Sequence, residues 1–109
     1  MSRLRLWPLS AYDADFDNTQ TETGIAIPAN AIFCTVDVTG ADVWLATNTS
    51  NASLSLQTSP ATKGIKILKD WVLPFEMQMM DQGQPPTWTH FRFRADSAAA
   101  GHITVNFFR

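Results

Sequence analysis

The sequence lacks the features that mark disulfide-bonded, membrane-spanning or polyanion-binding proteins. The one cysteine, Cys34, has no partner for an internal disulfide and lies in an apolar run, where cysteine acts as a small hydrophobic residue. The formal net charge of -2 is far from the basic excess that nucleic-acid binding normally requires. No apolar run approaches the roughly 18 residues of a membrane span, and the first residues do not predict a secretion signal. We therefore expect no nucleic-acid partner and no membrane partner.

Recognisable catalytic motifs are also missing. The sequence contains no phosphate-binding glycine loop, no nucleophile elbow and no HExxH zinc motif. Its two histidines, His90 and His102, are too few for a histidine-rich zinc site unless Cys34 or an aspartate joins them. Cys34 is predicted to face inward, away from the electropositive and partly exposed setting that a reactive thiolate needs. We predict a protein that is not an enzyme and has no cofactor.

The stretch YDADFDN raises the question of a cation site, because Asp13, Asp15 and Asp17 stand two residues apart. A calcium loop of the EF-hand type continues with a glycine at its sharp turn and ends with a bidentate glutamate. Asn18 and Gly24 occupy those two places here. We therefore predict a solvated acidic loop with no metal, and a weak cation site of another kind is the alternative.

Period-two alternation of apolar and polar residues recurs along most of the chain and predicts β-strands. It is clearest in AIFCTVDV (31–38), DVWLAT (42–47), LSLQ (54–57), TWTHFRFRA (87–95) and HITVNFF (102–108). Gly40 and Ala41 predict a turn between the first two of these segments. Because the candidate strands are short and separated by turn-forming residues, the pattern indicates an antiparallel arrangement.

The segment 64–80 is ambiguous between helix and strand. Several of its apolar residues recur at helical spacing, but Pro74 would remove a helix hydrogen bond and clash with the preceding turn. At period two, one face would be the core face and carries Trp71, Leu73, Phe75, Met77 and Met79. We predict a strand, since the neighbouring segments are also strand-like.

These patterns together predict an all-β protein, an antiparallel β-sandwich or jelly-roll-like barrel with an N-terminal arm. Residues 1–23 differ from the rest and are predicted to form an arm or a first strand. Residues 24–109 are predicted to form the β-sandwich domain. The length of 109 residues fits one domain with a modest core.

The outward face of segment 87–95 predicts an interaction surface. Alternation places four aromatic or basic side chains on it: Trp88, His90, Arg92 and Arg94. Aromatic residues and arginine are typical of interface hot spots. The alternatives are a solvated strand face and a platform on which tryptophan stacks against sugar rings. Five further residues complete the predicted interface set: Arg3, Arg5, Trp7, Trp44 and Phe108.

From Gly24 to Arg109, the order of strand and turn segments resembles the small β-sandwich structural proteins of tailed bacteriophages. These include capsid decoration or cement proteins and related head or tail accessory modules. The segments that carry the resemblance are GIAIPANA, IFCTVDVTGADVWLAT, NTSNAS, GIKILKDWVLPFEM and AAAGHITVNFF. They are patterns of strand and turn without a catalytic signature, so no functional residue carries over.

The resemblance implies a virion protein that assembles on a capsid lattice, often as a homotrimer, without a cofactor. Its partner would be the major capsid protein or another virion protein, and residues 1–23 would reach a neighbouring subunit or the shell. Oligomerisation would also help to stabilise the limited core of so small a sandwich. The rival hypothesis is a carbohydrate- or receptor-binding module of a viral fibre, with Trp44 or Trp88 as the stacking platform.

Overall fold

Eight β-strands make up the architecture of the chain. The computed structural model describes residues 7–16, 21–56, 64–76, 88–97 and 99–109. The strands are β1 (Pro8–Phe16), β2 (Thr23–Ala26), β3 (Phe33–Thr39), β4 (Val43–Asn48), β5 (Ile65–Ile67), β6 (Trp71–Glu76), β7 (His90–Ala95) and β8 (Gly101–Phe108). Within these ranges, no helix is long and apolar enough to cross a membrane. The predicted all-β class is confirmed.

The strands form two antiparallel four-stranded sheets. Sheet A has the order β1-β8-β3-β6, and sheet B has the order β2-β7-β4-β5. Among the described strands, six of the seven connections cross from one sheet to the other, and β4–β5 is the exception. Two sheets of four strands with this crossing pattern form a jelly roll. The prediction of an antiparallel sandwich or jelly-roll-like barrel is therefore confirmed.

The core lies between the sheets and is built by the alternation that the sequence shows. In β3 and β8 the inward residues are buried: Cys34, Val36, Val38, Ile103, Val105 and Phe107. β7 supplies two rings, Phe91 and Phe93, that contact aromatic rings of the opposite sheet. Their centroids lie 6.3 to 6.4 Å from those of four partners: Tyr12, Phe16, Phe75 and Phe107. Such tilted and stacked pairs add stabilisation to the buried apolar area.

The turn predicted at Gly40 is present and connects β3 in sheet A to β4 in sheet B. Gly40 has a φ of 86°, a conformation that side-chain-bearing residues rarely adopt. A Cβ atom at this position would also lie 2.8 Å from the Cα atom of Gly101. The backbone conformation and the close approach of the two chain segments both require glycine here.

Residues 64–76 of this segment are largely extended, as predicted, but they form two strands in different sheets instead of one. Asp70 interrupts it with a φ of 66°, and its backbone N–H donates to the Val38 carbonyl at 2.6 Å. Aspartate tolerates this left-handed conformation better than most residues. Leu73 and Phe75 pack against the core as predicted, and residues 77–80 lie outside the described ranges.

The acidic stretch near the N-terminus belongs to a strand, which corrects the prediction of a loop. β1 pairs with β8 from Pro8 to Phe16, so that Asp13 and Asp15 lie on its outer side while Tyr12 and Phe16 pack against the core. In YDADF, apolar or aromatic residues alternate with aspartates, as they do in a strand. The prediction of a loop gave the carboxylates more weight than this alternation. The division of the chain at residues 23 and 24 stays a prediction.

Residues 54–56 are not a strand, although the alternation of LSLQ predicts one. Leu56 is fully buried, and Ser55 has a φ of 53°. The segment is irregular because the backbone N–H groups of Leu54 and Leu56 donate to the Glu22 carboxylate instead of to a neighbouring strand.

Candidate functional site

The outward face of β7 is partly covered by other parts of the chain, which corrects the prediction that Arg92 is exposed. Arg92 is 7 % exposed. Arg94, which is half-buried, donates to the Leu56 carbonyl at 3.1 Å, and His90 is half-buried. Trp88 precedes the strand and packs against the core. An interface role of the three half-buried residues stays a prediction.

A buried ion pair explains why this face is covered. The Nε atom of Arg92 donates to Glu22 Oε2 at 2.8 Å, and its Nη1 atom donates to Asn51 Oδ1 at 2.8 Å. The Glu22 carboxylate also accepts hydrogen bonds from the backbone N–H groups of Leu54 at 2.7 Å and Leu56 at 2.8 Å. Both side chains of the pair are less than a tenth exposed. The pair therefore fastens residues 51–56 onto the outer face of sheet B.

The charge state of Glu22 follows from these contacts. Burial alone raises the pKa of its carboxyl group, but hydrogen bonds from Leu56, Arg92 and Leu54 outweigh burial and lower the pKa below its ordinary value. Glu22 is therefore ionised at neutral pH. It lies 70 residues from Arg92 in the sequence, so local pattern gave no signal that the two would pair.

Trp44, a predicted interface residue, is held by a second polar cluster on sheet B. Its indole Nε1 donates to Asp96 Oδ1 at 2.6 Å, and the Lys66 ammonium lies 5.9 Å from the ring centroid. Lys66 also pairs with Asp96 at 3.2 Å. The Trp44 hydrogen bond and Lys66 hold the pKa of Asp96 below its usual value despite partial burial. One face of the Trp44 ring is thus occupied by a cation.

The remaining predicted interface residues lie on a different part of the molecule. Trp7, 64 % exposed, is next to β1 and exchanges backbone hydrogen bonds with Arg109. Phe108 is half-buried on the outer face of sheet A, with its ring centroid 6.0 Å from that of Phe33. Arg3 and Arg5 lie outside the described residues. The described members of the predicted set therefore divide between sheet A and sheet B.

Exposed apolar side chains gather instead at one edge of the sandwich. Five large hydrophobic residues are exposed in the described ranges, and four of them fall between residues 65 and 72. They are Ile65 (46 % exposed), Leu68 (37 %), Trp71 (50 %) and Val72 (61 %), which we call the edge patch. β5 ends sheet B and β6 ends sheet A, and only residues 68–70 connect them, so these two sheet edges lie side by side.

The exposure of Trp71 corrects the prediction that it belongs to the core. It has the parity of Leu73 and Phe75, but it is the first residue of a strand at the edge of its sheet. At that position, alternation alone does not guarantee that the opposite sheet extends far enough to cover the ring. The edge patch was missed because its exposure depends on which strands end the sheets.

A histidine and two carboxylates form a third cluster, on the outer face of sheet A. His102 Nδ1 lies 2.6 Å from Asp15 Oδ1, and its Nε2 pairs with Asp13 Oδ1. The Thr104 hydroxyl donates to Asp13 at 3.1 Å. Hydrogen bonds that its ring N–H groups donate to Asp15 and Asp13 raise the pKa of His102 above its ordinary value. The cluster joins β1 to β8 by side chains as well as by backbone.

The geometry of this cluster differs from that of a metal centre. Both ring nitrogens of His102 face carboxylate oxygens within hydrogen-bonding distance, so neither nitrogen is directed at an open position for a metal ion. In the described part of the chain, no group of three or more His, Cys, Asp or Glu side chains is arranged to hold a metal ion. Asp17, the third carboxylate of the sequence pattern, lies outside that part.

Cys34 lies in the core, as its parity predicts. Its side chain is fully buried, and burial raises the pKa of the thiol to about 12. Because the thiolate is the reactive form of cysteine, the thiol of Cys34 is inert at neutral pH.

We expect Glu22→Gln to destabilise the fold by about 3 to 5 kcal/mol, the usual cost of breaking a buried ion pair by removing one partner. The Arg92 charge would stay buried without its counter-charge. Urea denaturation at neutral pH measures the change in the free energy of unfolding. Glu76→Gln removes the same charge at an exposed position and is expected to have little effect. Equal losses in the two variants would contradict a stabilising role of the pair.

We expect His102 to titrate above about 6.5, the value of an unperturbed histidine. Below that pH the imidazole is charged in both folded and unfolded chains, so the stabilisation from Asp13 and Asp15 is fully present. It is lost as the pH rises through the higher pKa of the folded state. NMR titration of the imidazole measures that pKa, which Asp15→Asn should lower. The control variant Asp70→Asn should leave it unchanged, and a wild-type value at or below 6.5 would contradict the assigned contacts.

Comparison with known proteins does not assign the chain to a family. No protein-family model matches it, and no curated protein and no solved structure matches it. Function therefore has to be inferred from the geometry of the chain itself. The two polar clusters and the buried ion pair are contacts within the chain. They leave the exposure of the edge patch unexplained.

Proposed function

We propose that the protein is a non-enzymatic structural protein of a virion, of the capsid decoration or cement type, which stabilises a shell through oligomeric contacts. Its partners are further copies of itself, as a homotrimer, and the major capsid protein or another virion protein. The observation that carries the proposal is the edge patch, where exposed apolar side chains lie at the open edges of both sheets.

Open strand edges are suited to contacts between chains. β6 pairs with β3 alone and β5 pairs with β4 alone, so one side of each strand has no neighbouring strand in the described structure. Unpaired N–H and C=O groups of an edge strand are a template for pairing with another chain, and proteins normally protect them with charge or proline. Pro74 lies in β6, but the beginning of this strand carries Trp71 and Val72. Apolar side chains there favour burial by a partner.

The magnitude of this burial limits what the patch can do alone. Fully burying a large apolar side chain contributes about 1.5 to 3 kcal/mol. Four side chains that are each roughly half exposed therefore contribute about 3 to 6 kcal/mol. Association costs about 4 to 15 kcal/mol in lost translational and rotational freedom. The patch supplies the hot spot, and backbone pairing at β6 must supply the rest.

The contacts of the tryptophans favour assembly over the rival function of carbohydrate or receptor binding. Jelly rolls occur in both viral capsid proteins and lectins, so the fold alone does not distinguish assembly from carbohydrate binding. A sugar-stacking platform needs a free ring face. Lys66 lies over Trp44, and Trp88 packs against the core. Trp71 has a more exposed ring, and the other members of the edge patch are aliphatic side chains that form no hydrogen bonds with sugar hydroxyls.

We expect the 109-residue chain to form a stable trimer, with a mass three times the 12.1 kDa of one chain. Trp71→Ser should shift the mass toward that of the monomer, because it removes the largest apolar side chain of the patch. Light scattering on a size-exclusion column, over a range of concentrations and with and without a chelator, measures the mass. Dissociation by the chelator would contradict assembly through apolar contacts.

Trp7→Ser is the matched control, since Trp7 is similarly exposed but lies outside the patch. If Trp7→Ser dissociates the trimer and Trp71→Ser does not, the contact belongs to the N-terminal segment and the edge assignment is wrong. A monomer at every concentration would remove the support for the capsid proposal. Trp88→Ala then separates the rivals: loss of glycan retention at unchanged mass would support carbohydrate binding, and altered assembly would support the structural role.

A further inference from the structure

A cavity opens between the two sheets beside the β5–β6 edge, and its volume is about 290 Å³. Leu45 and Phe91, each 2 % exposed, form its deepest part. Phe75 from sheet A and Trp88, which precedes β7, are half-buried and form its walls. The cavity is therefore built from core residues of both sheets and is not a groove between surface side chains.

The mouth of the cavity is kept open by the backbone. Gly64 and Ile65 are the exposed residues among those that line it, so they mark its rim. Gly64 has a φ of 78°, and a Cβ atom there would lie 2.5 Å from the Leu45 carbonyl oxygen. A residue with a side chain is thus excluded from this position by both conformation and contact. No side chain at position 64 can close the entrance.

The volume fits a small organic molecule. An engineered apolar cavity of about 150 Å³ stays dry and binds benzene. Sites for drug-sized ligands begin at about 300 Å³. At about 290 Å³, this cavity is nearly twice the size of the benzene site and has room for a compact molecule of two fused rings.

The lining determines the chemistry of such a molecule. Among the described residues that line the cavity, none has an ionisable side chain, and Thr47 and Trp88 are the ones whose side chains carry a polar atom. A charged ligand would lose its hydration without gaining a counter-charge, which is costly. An apolar ligand would instead displace water that has few hydrogen-bond partners there, which favours binding.

We propose that this cavity is a binding site for a small, uncharged and largely apolar molecule that carries one or two polar atoms. This site is separate from the assembly function proposed above, although Ile65 belongs to both the cavity rim and the edge patch.

Binding of 2-naphthol and 2-naphthoate tests the proposal, because the two probes share a ring system and differ in charge at neutral pH. Isothermal titration calorimetry with the full chain measures affinity and stoichiometry. We expect one molecule of 2-naphthol to bind per chain, at least tenfold more tightly than 2-naphthoate. Equal affinities for the two probes, or no binding of 2-naphthol up to its solubility limit, would overturn the proposal.

Two threonine variants then locate the site. Thr47 lines the cavity and lies opposite Phe91 in the β4–β7 ladder, so its side chain is on the inner face of sheet B. Thr47→Phe should therefore fill part of the cavity and weaken 2-naphthol binding at least tenfold. Thr39→Phe makes the same change at an exposed position of β3 and should leave the affinity unchanged. Unchanged affinity in Thr47→Phe would overturn the assignment.

Chemical-shift mapping on the wild-type chain decides the question if Thr47→Phe does not fold. 2-Naphthol should shift the side-chain signals of Leu45, Phe75 and Phe91. Shifts confined to the exposed residues Trp71 and Val72 would mean that the probe adheres to the edge patch, and would overturn the proposal.

Discussion

Open strand edges are the constraint on which the arrangement of this molecule depends. Two four-stranded sheets that do not close into a continuous barrel leave β1, β6, β2 and β5 as terminal strands. On β1 the exposed side carries Asp13 and Asp15, which bind His102. On β5 and β6 the exposed large apolar side chains are Ile65, Trp71 and Val72, and Lys66 and Glu76 are exposed beside them. The two ends of sheet A thus differ: the outer face of β1 carries carboxylates paired with His102, and the beginning of β6 carries two large apolar side chains that the described residues leave exposed. This difference is the reason for proposing contacts between chains at the second end.

β7 holds the rest of the sandwich together from both of its faces. On its inner face Phe91 and Phe93 contact rings of sheet A. On its outer face Arg92 binds Glu22 and Asn51 and so fixes residues 51–56. Arginine and aromatic residues on one strand are typical of an interface, but here the chain itself is the partner of the arginine. This internal use leaves the edge patch as the stronger candidate for contacts between chains.

The strands could be predicted wherever one of their faces is buried, because apolar and polar residues then alternate along the sequence. β3 and β8 follow the alternation of apolar and polar residues in the sequence. Gly40 indicated the turn after β3, because glycine readily adopts the positive φ found there. Prediction from the sequence failed where contacts between distant segments determine the pairing, conformation or exposure of a residue. The Glu22–Arg92 pair joins distant segments, the left-handed Asp70 divides an apparently continuous strand, and the exposure of Trp71 depends on β6 ending its sheet. The candidate surface could therefore not be located before the strand order was known.

Contact between chains at the β5–β6 edge can be measured by amide hydrogen exchange across residues 65–76, because exchange reports on the strand backbone itself. The wild-type chain would be compared at concentrations where it is assembled and where it is dissociated. Exchange in β6 is expected to slow on assembly, as an edge strand acquires a partner, while exchange in the already paired strand β8 changes little. Unchanged exchange in β6, with new protection elsewhere in the assembled protein, would contradict assembly through this edge.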